Sequence, residues 1–250
     1  MNEWLDDLRT AVAFLTRLPM PHPQGAAPEN FIRAQRMLPL VGAGIGAAVG
    51  LFYLGIRAVG VPNFVAAALA LGAGAMLTGA LHEDGLADVA DGFGGGRDRT
   101  AKLEIMRDSR LGTYGALILM VSFVAKLSAL AALPEAAVVQ CLVAAHALAR
   151  GVLPAMSMSL PYARKDGLAA GGGRPDSATA ATAATLAFLI ALLSLPWINA
   201  LAASLLAVAA AIGMGWLAQR QIGGQTGDVL GGAEQVGETA ILVLLAARLG

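Results

Sequence analysis

The sequence predicts an all-α, polytopic integral membrane bundle of about seven transmembrane helices, with a cytoplasmic helical hairpin carrying acidic motifs. Three observations lead there. The 250 residues are 57% hydrophobic and only 14% charged, far below the roughly 25% charged content of ordinary soluble domains. Apolar runs of about twenty residues recur, the length at which a helix crosses a hydrocarbon core of roughly 30 Å. The acidic residues gather in one connection, between Glu83 and Asp108, instead of scattering.

Seven runs meet the length criterion, near 37–58, 62–80, 112–133, 136–158, 177–195, 197–218 and 233–249, with Pro62, Pro134 and Pro196 at three tight turns. The last is short and carries Glu234 and Glu238, which makes it the weakest span. Small residues such as Gly42, Gly46 and Gly50 in the first run, and Gly72 and Gly74 in the second, let membrane helices approach closely. Ahead of the spans, Trp4, Leu5, Leu8, Val12, Leu15 and Leu18 fall near one helical face. That helix either lies along the membrane surface or packs on the bundle. The start, MNEWLDDLRT, has no basic region or apolar core and is not read as a secretory signal. The whole chain, 1–250, reads as a single membrane-embedded catalytic domain.

Alternating the spans puts Arg9, Arg17, Arg33, Arg36, Arg97, Arg99, Lys102, Arg107, Arg110, Arg164, Lys165, Arg174 and Arg220 on one side, and only Arg57 and Arg248 on the other. By the positive-inside tendency, the connections 81–111, 159–176 and 219–232 face the cytoplasm. Seventeen basic and seventeen acidic residues cancel, so nothing points to nucleic acid as a partner. Lipid is the expected surrounding, and self-association into a homo-oligomer stays open. The lone Cys141 excludes a disulfide framework and a cysteine metal cage.

At about 100° per residue, Asp84, Asp88 and Asp91 form one carboxylate row on a helix. Such a row repels itself unless a cation offsets the charge. Gly92, Gly94, Gly95 and Gly96 are expected to break this helix, Thr100 to cap the next, and Glu104 and Asp108 to repeat the i, i+4 pattern there. Together the two short helices would converge Asp84, Asp88, Asp91, Glu104 and Asp108 as oxygen ligands. All-oxygen ligation suits Mg²⁺, or Mn²⁺, and leaves positions for phosphate oxygens. Glu83 points about 100° from Asp84 and drops out. The plain alternative is a solvated acidic loop paired with neighbouring arginines.

Other polar groups extend this site. His82 is a candidate base or ligand, with a simple hydrogen-bonding role as the alternative. Arg107, Arg110 and Arg150 are candidate phosphate contacts, Arg150 and His146 being costly inside a span unless they face a cavity or partner. Lys126 is similar. Gly95 belongs to the glycine-rich stretch that permits close approach of a ligand. Ile222 to Glu238 reads as a late glycine loop in which Asp228 reaches a metal or a substrate hydroxyl. Tyr162, Arg164 and Gly167 suggest a basic aromatic loop, or a plain turn.

The sequence resembles the cobalamin synthase, or adenosylcobinamide-GDP ribazoletransferase, family. The resemblance rests on FLTRLPMP from Phe14 to Pro21, HEDGLADVADGFGGG from His82 to Gly96, LEIMRDSRLGTYG from Leu103 to Gly115, YARKDGL from Tyr162 to Leu168 and GGQTGDVLGG from Gly223 to Gly232. It implies a Mg²⁺-dependent membrane enzyme that joins adenosylcobinamide-GDP to α-ribazole or its 5′-phosphate and releases GMP. The family's acidic motifs fall on Asp84, Asp88, Asp91, Glu104 and Asp108. A bacterial inner-membrane protein with its site on the cytoplasmic face is the corresponding location. Two other readings compete. A CDP-alcohol phosphotransferase would need Ala-Arg two residues after Asp84-Gly85, where Leu86, Ala87 and Asp88 stand instead. A divalent-cation transporter would need carboxylates midway through several spans.

Overall fold

The computed structural model describes residues 3–21, 28–164 and 173–250. Lys165 and Gly167, part of the basic loop, lie outside the described residues. The helices are α1 (Glu3–Leu15), α2 (Pro28–Ala34), α3 (Leu38–Ala58), α4 (Asn63–Thr78), α5 (Leu81–Gly95), α6 (Arg99–Ile105), α7 (Thr113–Ala132), α8 (Val138–Gly151), α9 (Leu153–Ser159), α10 (Ser177–Ser194), α11 (Trp197–Ile222) and α12 (Gly227–Leu249), with 3₁₀ turns at Gln35–Met37 and Glu135–Ala137. An isolated bridge between Tyr162 and Gln225 is the only β pairing among the described residues.

Six helical stretches are long and apolar enough to cross a membrane; the run predicted at 62–80 is α4, which meets that measure only when counted with α5, from which a 91° bend separates it. The prolines act as expected, with Pro62, Pro134 and Pro196 each standing just ahead of a helix. Small residues set the core spacing. A Cβ on Gly42 or Gly46 would run into the α8 backbone at His146 and Leu142, and one on Gly50 would come within 2.9 Å of Val139 Cα. These three glycines therefore let α3 lie directly on α8.

The bend after α4 has a backbone cause. Gly79 and Ala80 both adopt the left-handed region, at φ 67° and 56°. For alanine that conformation is strained. The neighbouring chain holds it: Ala80 N–H donates to Ala75 O at 2.8 Å, Asp84 N–H to Ala80 O at 2.9 Å, and Arg17 N–H to Leu77 O at 2.8 Å. As a result α5 leaves the direction of α4 and packs between α12 and α7.

Helix α1 packs on the bundle through Asp7, Ala11 and Leu15, leaving Trp4, Leu5, Phe14 and Leu18 exposed. The face predicted from Trp4, Leu5 and Leu18 is thus rotated outward. The reason is Asp7, which is 1% exposed and accepts from Arg33 at 3.0 Å while pairing with Arg36 at 2.6 Å. Arg36 also lies over the Trp4 ring, 3.8 Å from its centroid.

The last span differs most from expectation. Helix α12 starts at Gly227, capped by Thr226, whose hydroxyl accepts from Val229 N–H at 3.3 Å. Most of the predicted late loop is therefore helix. Its buried acids are what hid it, and they are compensated from other helices.

Candidate functional site

The connections 96–112, 160–164 and 223–226 meet at one end of the bundle. Arg99 donates to Ile222 O at 2.7 Å and to Ala163 O at 2.6 Å, while Gln225 N–H donates to Pro161 O at 2.8 Å. Lys102 also reaches Gln221. The acidic helix α5 lies at this end.

Gly85 brings α5 against the first turn of α12, since a Cβ there would meet Asp228 O at 2.9 Å and Asp228 Cα at 3.1 Å. Asp228 thereby faces the row formed by Asp84 and Asp88. Asp88 registers the crowding: burial first, then the charges of Asp84, Asp228 and Asp91, push its carboxyl up to about 7 against the pull of Arg164. Arg164 pairs with Asp228 at 2.5 Å, and Thr226 Oγ1 sits 3.1 Å from the same carboxylate oxygen. Among the described residues, Asp88 of α5 and Asp228 of α12 thus share the Arg164 guanidinium. The negative charge of Asp84, Asp88 and Asp228 exceeds what Arg164 offsets, which suits a hard divalent cation, but their oxygens do not all lie within 4.8 Å of one another.

The remaining predicted ligands fall elsewhere. Asp91 is buried and its two oxygens accept Gly112 N–H at 2.7 Å and Gly115 N–H at 2.8 Å. It caps the N-terminus of α7, where exposed amides and the helix dipole favour an anion. A Cβ on Gly112 or Gly115 would strike this carboxylate, so those glycines serve Asp91. Glu104 is exposed on α6. Asp108 lies beyond the end of α6 at Ile105, so the second carboxylate row is not on one helix. It turns to Arg110, bonding its backbone N–H at 3.1 Å and its guanidinium at 3.0 Å, which holds the carboxyl below its usual range.

Three local expectations are also corrected. Asp98, not Thr100, caps α6, accepting Ala101 N–H at 3.0 Å. Helix α5 runs through Gly92 and Gly94 because a Cβ there would collide with Met106 and approach the Tyr114 ring to 2.7 Å. They permit packing and do not end the helix. Gly95 is the last residue of α5, with Ile105 as its neighbour. Arg107 is exposed just past α6, and Arg110 is exposed beside Asp108.

Arg150 lies apart from the Asp84 row, in a buried ion-pair network. It is 2% exposed and pairs with Glu234 at 2.5 Å and Glu238 at 3.5 Å. His146 Nδ1 lies 2.9 Å from Glu238, Lys126 donates to Gln235 at 2.7 Å and to Glu238 at 3.2 Å, and His82 Nδ1 lies 3.1 Å from Glu234. This is a buried ionic network joining α5, α7, α8 and α12. His146, Glu234 and Glu238 present ligand atoms within 4.8 Å of one another. Lys126 and Arg150 already neutralise both carboxylates, so the trio does not suit a cation. Glu83 faces a separate cavity with Lys126 and Arg150, consistent with its exclusion from the Asp84 row.

Asp84, Asp228 and His82 border a second cavity of about 210 Å³, whose walls include Phe14, Phe31 and Tyr162. Sequence reasoning underrated Arg164 and missed the network of Glu234; the polar residues inside the final span were the available signal.

A family model described as cobalamin-5-phosphate synthase matches residues 7–246. An adenosylcobinamide-GDP ribazoletransferase of Bradyrhizobium diazoefficiens is 47% identical over 242 residues, covering 96% of this chain and 93% of that protein. Its namesake from Azorhizobium caulinodans is 43% identical over 258 residues, covering 98% and 97%. One from Mesorhizobium japonicum is 42% identical over 246 residues, covering 98% and 94%. No solved structure matches the chain.

Proposed function

Because the chain belongs to the cobalamin-5-phosphate synthase family, we infer that it is the membrane transferase of the last assembly step of cobalamin synthesis. It transfers adenosylcobinamide phosphate from adenosylcobinamide-GDP to α-ribazole or its 5′-phosphate and releases GMP. The observation that carries the site assignment is that Asp84 and Asp228 border one cavity where Gly85 brings α5 against α12, with Arg164 paired to Asp228.

Asp84, Asp88 and Asp228 are the residues that would hold Mg²⁺, or Mn²⁺ in its place. When bound, the metal supplies charge neutralisation at the diphosphate and the leaving GMP. A ribose hydroxyl of the acceptor, one that the 5′-phosphate leaves free, forms a bond through its oxygen to the phosphorus that stays on the corrinoid, and the bond from that phosphorus to the GMP oxygen breaks. Arg164, on the loop beside Asp228, contacts a phosphate oxygen through its guanidinium fork. His82 lines the same cavity with Nδ1 turned to Glu234, leaving Nε2 to accept the hydroxyl proton. Alignment by these side chains is the main contribution of the fold.

The site opens to the cytoplasm of a bacterial inner membrane, a reading supported by the arginines and lysines gathered at the same end of the bundle. Family membership removes the CDP-alcohol phosphotransferase reading. The transporter reading loses its footing differently: carboxylates do occur inside α12, yet Lys126 and Arg150 offset them.

Washed membranes carrying the protein test the proposal. With adenosylcobinamide-GDP, α-ribazole and Mg²⁺ they should yield adenosylcobalamin and stoichiometric GMP, both identified by mass spectrometry. EDTA or Asp84→Asn should abolish turnover with normal membrane insertion. Undiminished GMP release by Asp84→Asn would overturn the site assignment, and a different product would overturn the reaction.

A further inference from the structure

The cavity beside Asp84 and Asp228 has a strongly divided chemistry. On its apolar side, Phe14 and Phe31 meet edge to face with ring centroids 4.7 Å apart and planes at 71°. Tyr162, Leu38 and Leu153 complete that wall. Asp84 and Asp228 border the same space.

Two polar side chains, Gln35 and Ser157, stand among the apolar ones. Gln35 is 9% exposed, lines the cavity and makes no side-chain hydrogen bond among the described residues. Ser157, also on the wall, is already engaged by Gln225 Nε2 at 3.2 Å. The Gln35 amide is not among the buried unpaired atoms, so it remains open to the cavity and is available to a ligand seated there.

We propose that this cavity seats the flat, apolar base of the nucleoside acceptor, so that its sugar hydroxyl reaches Asp84 and Asp228. The ligand class follows from the walls. Aromatic and aliphatic surfaces select a flat apolar heterocycle. Gln35 offers one hydrogen-bonding group, which matches a benzimidazole nucleoside, whose base has a single free ring nitrogen to accept from the Gln35 amide. Guanine fits poorly, because its several donors and acceptors would be buried against one amide. The space, about 210 Å³, takes a base with part of its sugar. What the bound hydroxyl then does rests on the phosphoryl-transfer reading above; the selectivity of the cavity does not.

The test separates the two. Purified full-length protein in detergent, with EDTA present, is titrated with benzimidazole riboside by the fluorescence of the base, and with guanosine as competitor. Benzimidazole riboside should bind at least tenfold more tightly than guanosine. Phe14→Ala and Gln35→Leu, on different elements, should each weaken it about tenfold. In turnover assays they should raise KM for the riboside while leaving KM for adenosylcobinamide-GDP unchanged. Asp84→Asn should fail to turn over the riboside. Equal or tighter binding of guanosine, unchanged riboside affinity in both variants, or a rise confined to KM for adenosylcobinamide-GDP would overturn the proposal. Normal turnover by Asp84→Asn, with riboside binding altered as expected in the cavity variants, would sink the metal-site reading and leave the subsite standing.

Discussion

Asp88→Asn in metal-free protein isolates the repulsion that a cation is expected to relieve. The Asp88 carboxyl rises from 3.8 to about 7, and a shift of roughly 3 units corresponds to about 4 kcal/mol as an upper bound. The side chain is partly exposed, and solvent screening reduces this to about 1–2 kcal/mol. Because the folded value is raised, the folded state binds the proton more tightly than the unfolded chain. Stability therefore falls as pH rises from near 4 to near 7, and the full cost stands above pH 7. Asparagine keeps the shape and removes the charge. In EDTA at pH 8 the variant should melt about 2–8 °C higher than the parent, and the gain should vanish toward pH 4. Cys141 is the only cysteine, free and buried, so a thiol-reactive fluorogenic dye in detergent reports the transition directly. Mg²⁺ should then raise the melting temperature of the parent and leave that of the variant unchanged. A variant less stable than the parent at every pH, or one stabilised equally by Mg²⁺, would refute the reasoning.

Asp91→Ala removes the acceptor of two amides at the start of α7 and should cost about 1–2 kcal/mol, seen as a lower melting temperature at pH 7, with Asp91→Asn recovering part of the loss. Arg150→Ala leaves Glu234 and Glu238 short of a buried partner and should cost about 3–5 kcal/mol, read as loss of monodisperse protein on gel filtration; Arg150→Met with Glu234→Leu should recover folded material. Gly85→Ala places a methyl group 2.9 Å from Asp228 O; pushing α5 off α12 should lower kcat at least tenfold in the GMP-release assay, with protein that still inserts and folds.

The spans were legible because length and apolar content alone define a membrane helix, and Pro62, Pro134 and Pro196 marked its turns. The start of α12 was not legible, because Glu234 and Glu238 look prohibitive until Lys126, more than a hundred residues away in sequence, and Arg150 are placed beside them. Helical geometry chose Asp84 and Asp88 but had no means of separating Asp91 from them. All three share a face, and only the approach of Gly112 and Gly115 diverts Asp91 to α7. The same limit applies to Glu104 and Asp108, whose assumed common helix ends at Ile105. Arg164 could be read only as part of a basic loop, since its role depends on the return of α12 to the same end of the bundle.

The buried network accounts for a division of labour between these acids. Asp84 and His82 are on one helix two residues apart, but they face different charges. His82 meets Glu234, and Glu234 meets Arg150, so this side of α5 is electrically closed within the bundle. Asp84 and Asp88 face Asp228 across the Gly85 contact, where Arg164 is the cation acting on Asp88 and Asp228 among the described residues. The first set ties α5 to α12 through balanced charge. The second is left with excess negative charge, held in place by that tie and by the strained Gly79–Ala80 bend. A membrane bundle is well suited to this arrangement: apolar surroundings make a balanced network hard to break, while the surface at its end lets an unbalanced one meet a cation and a diphosphate.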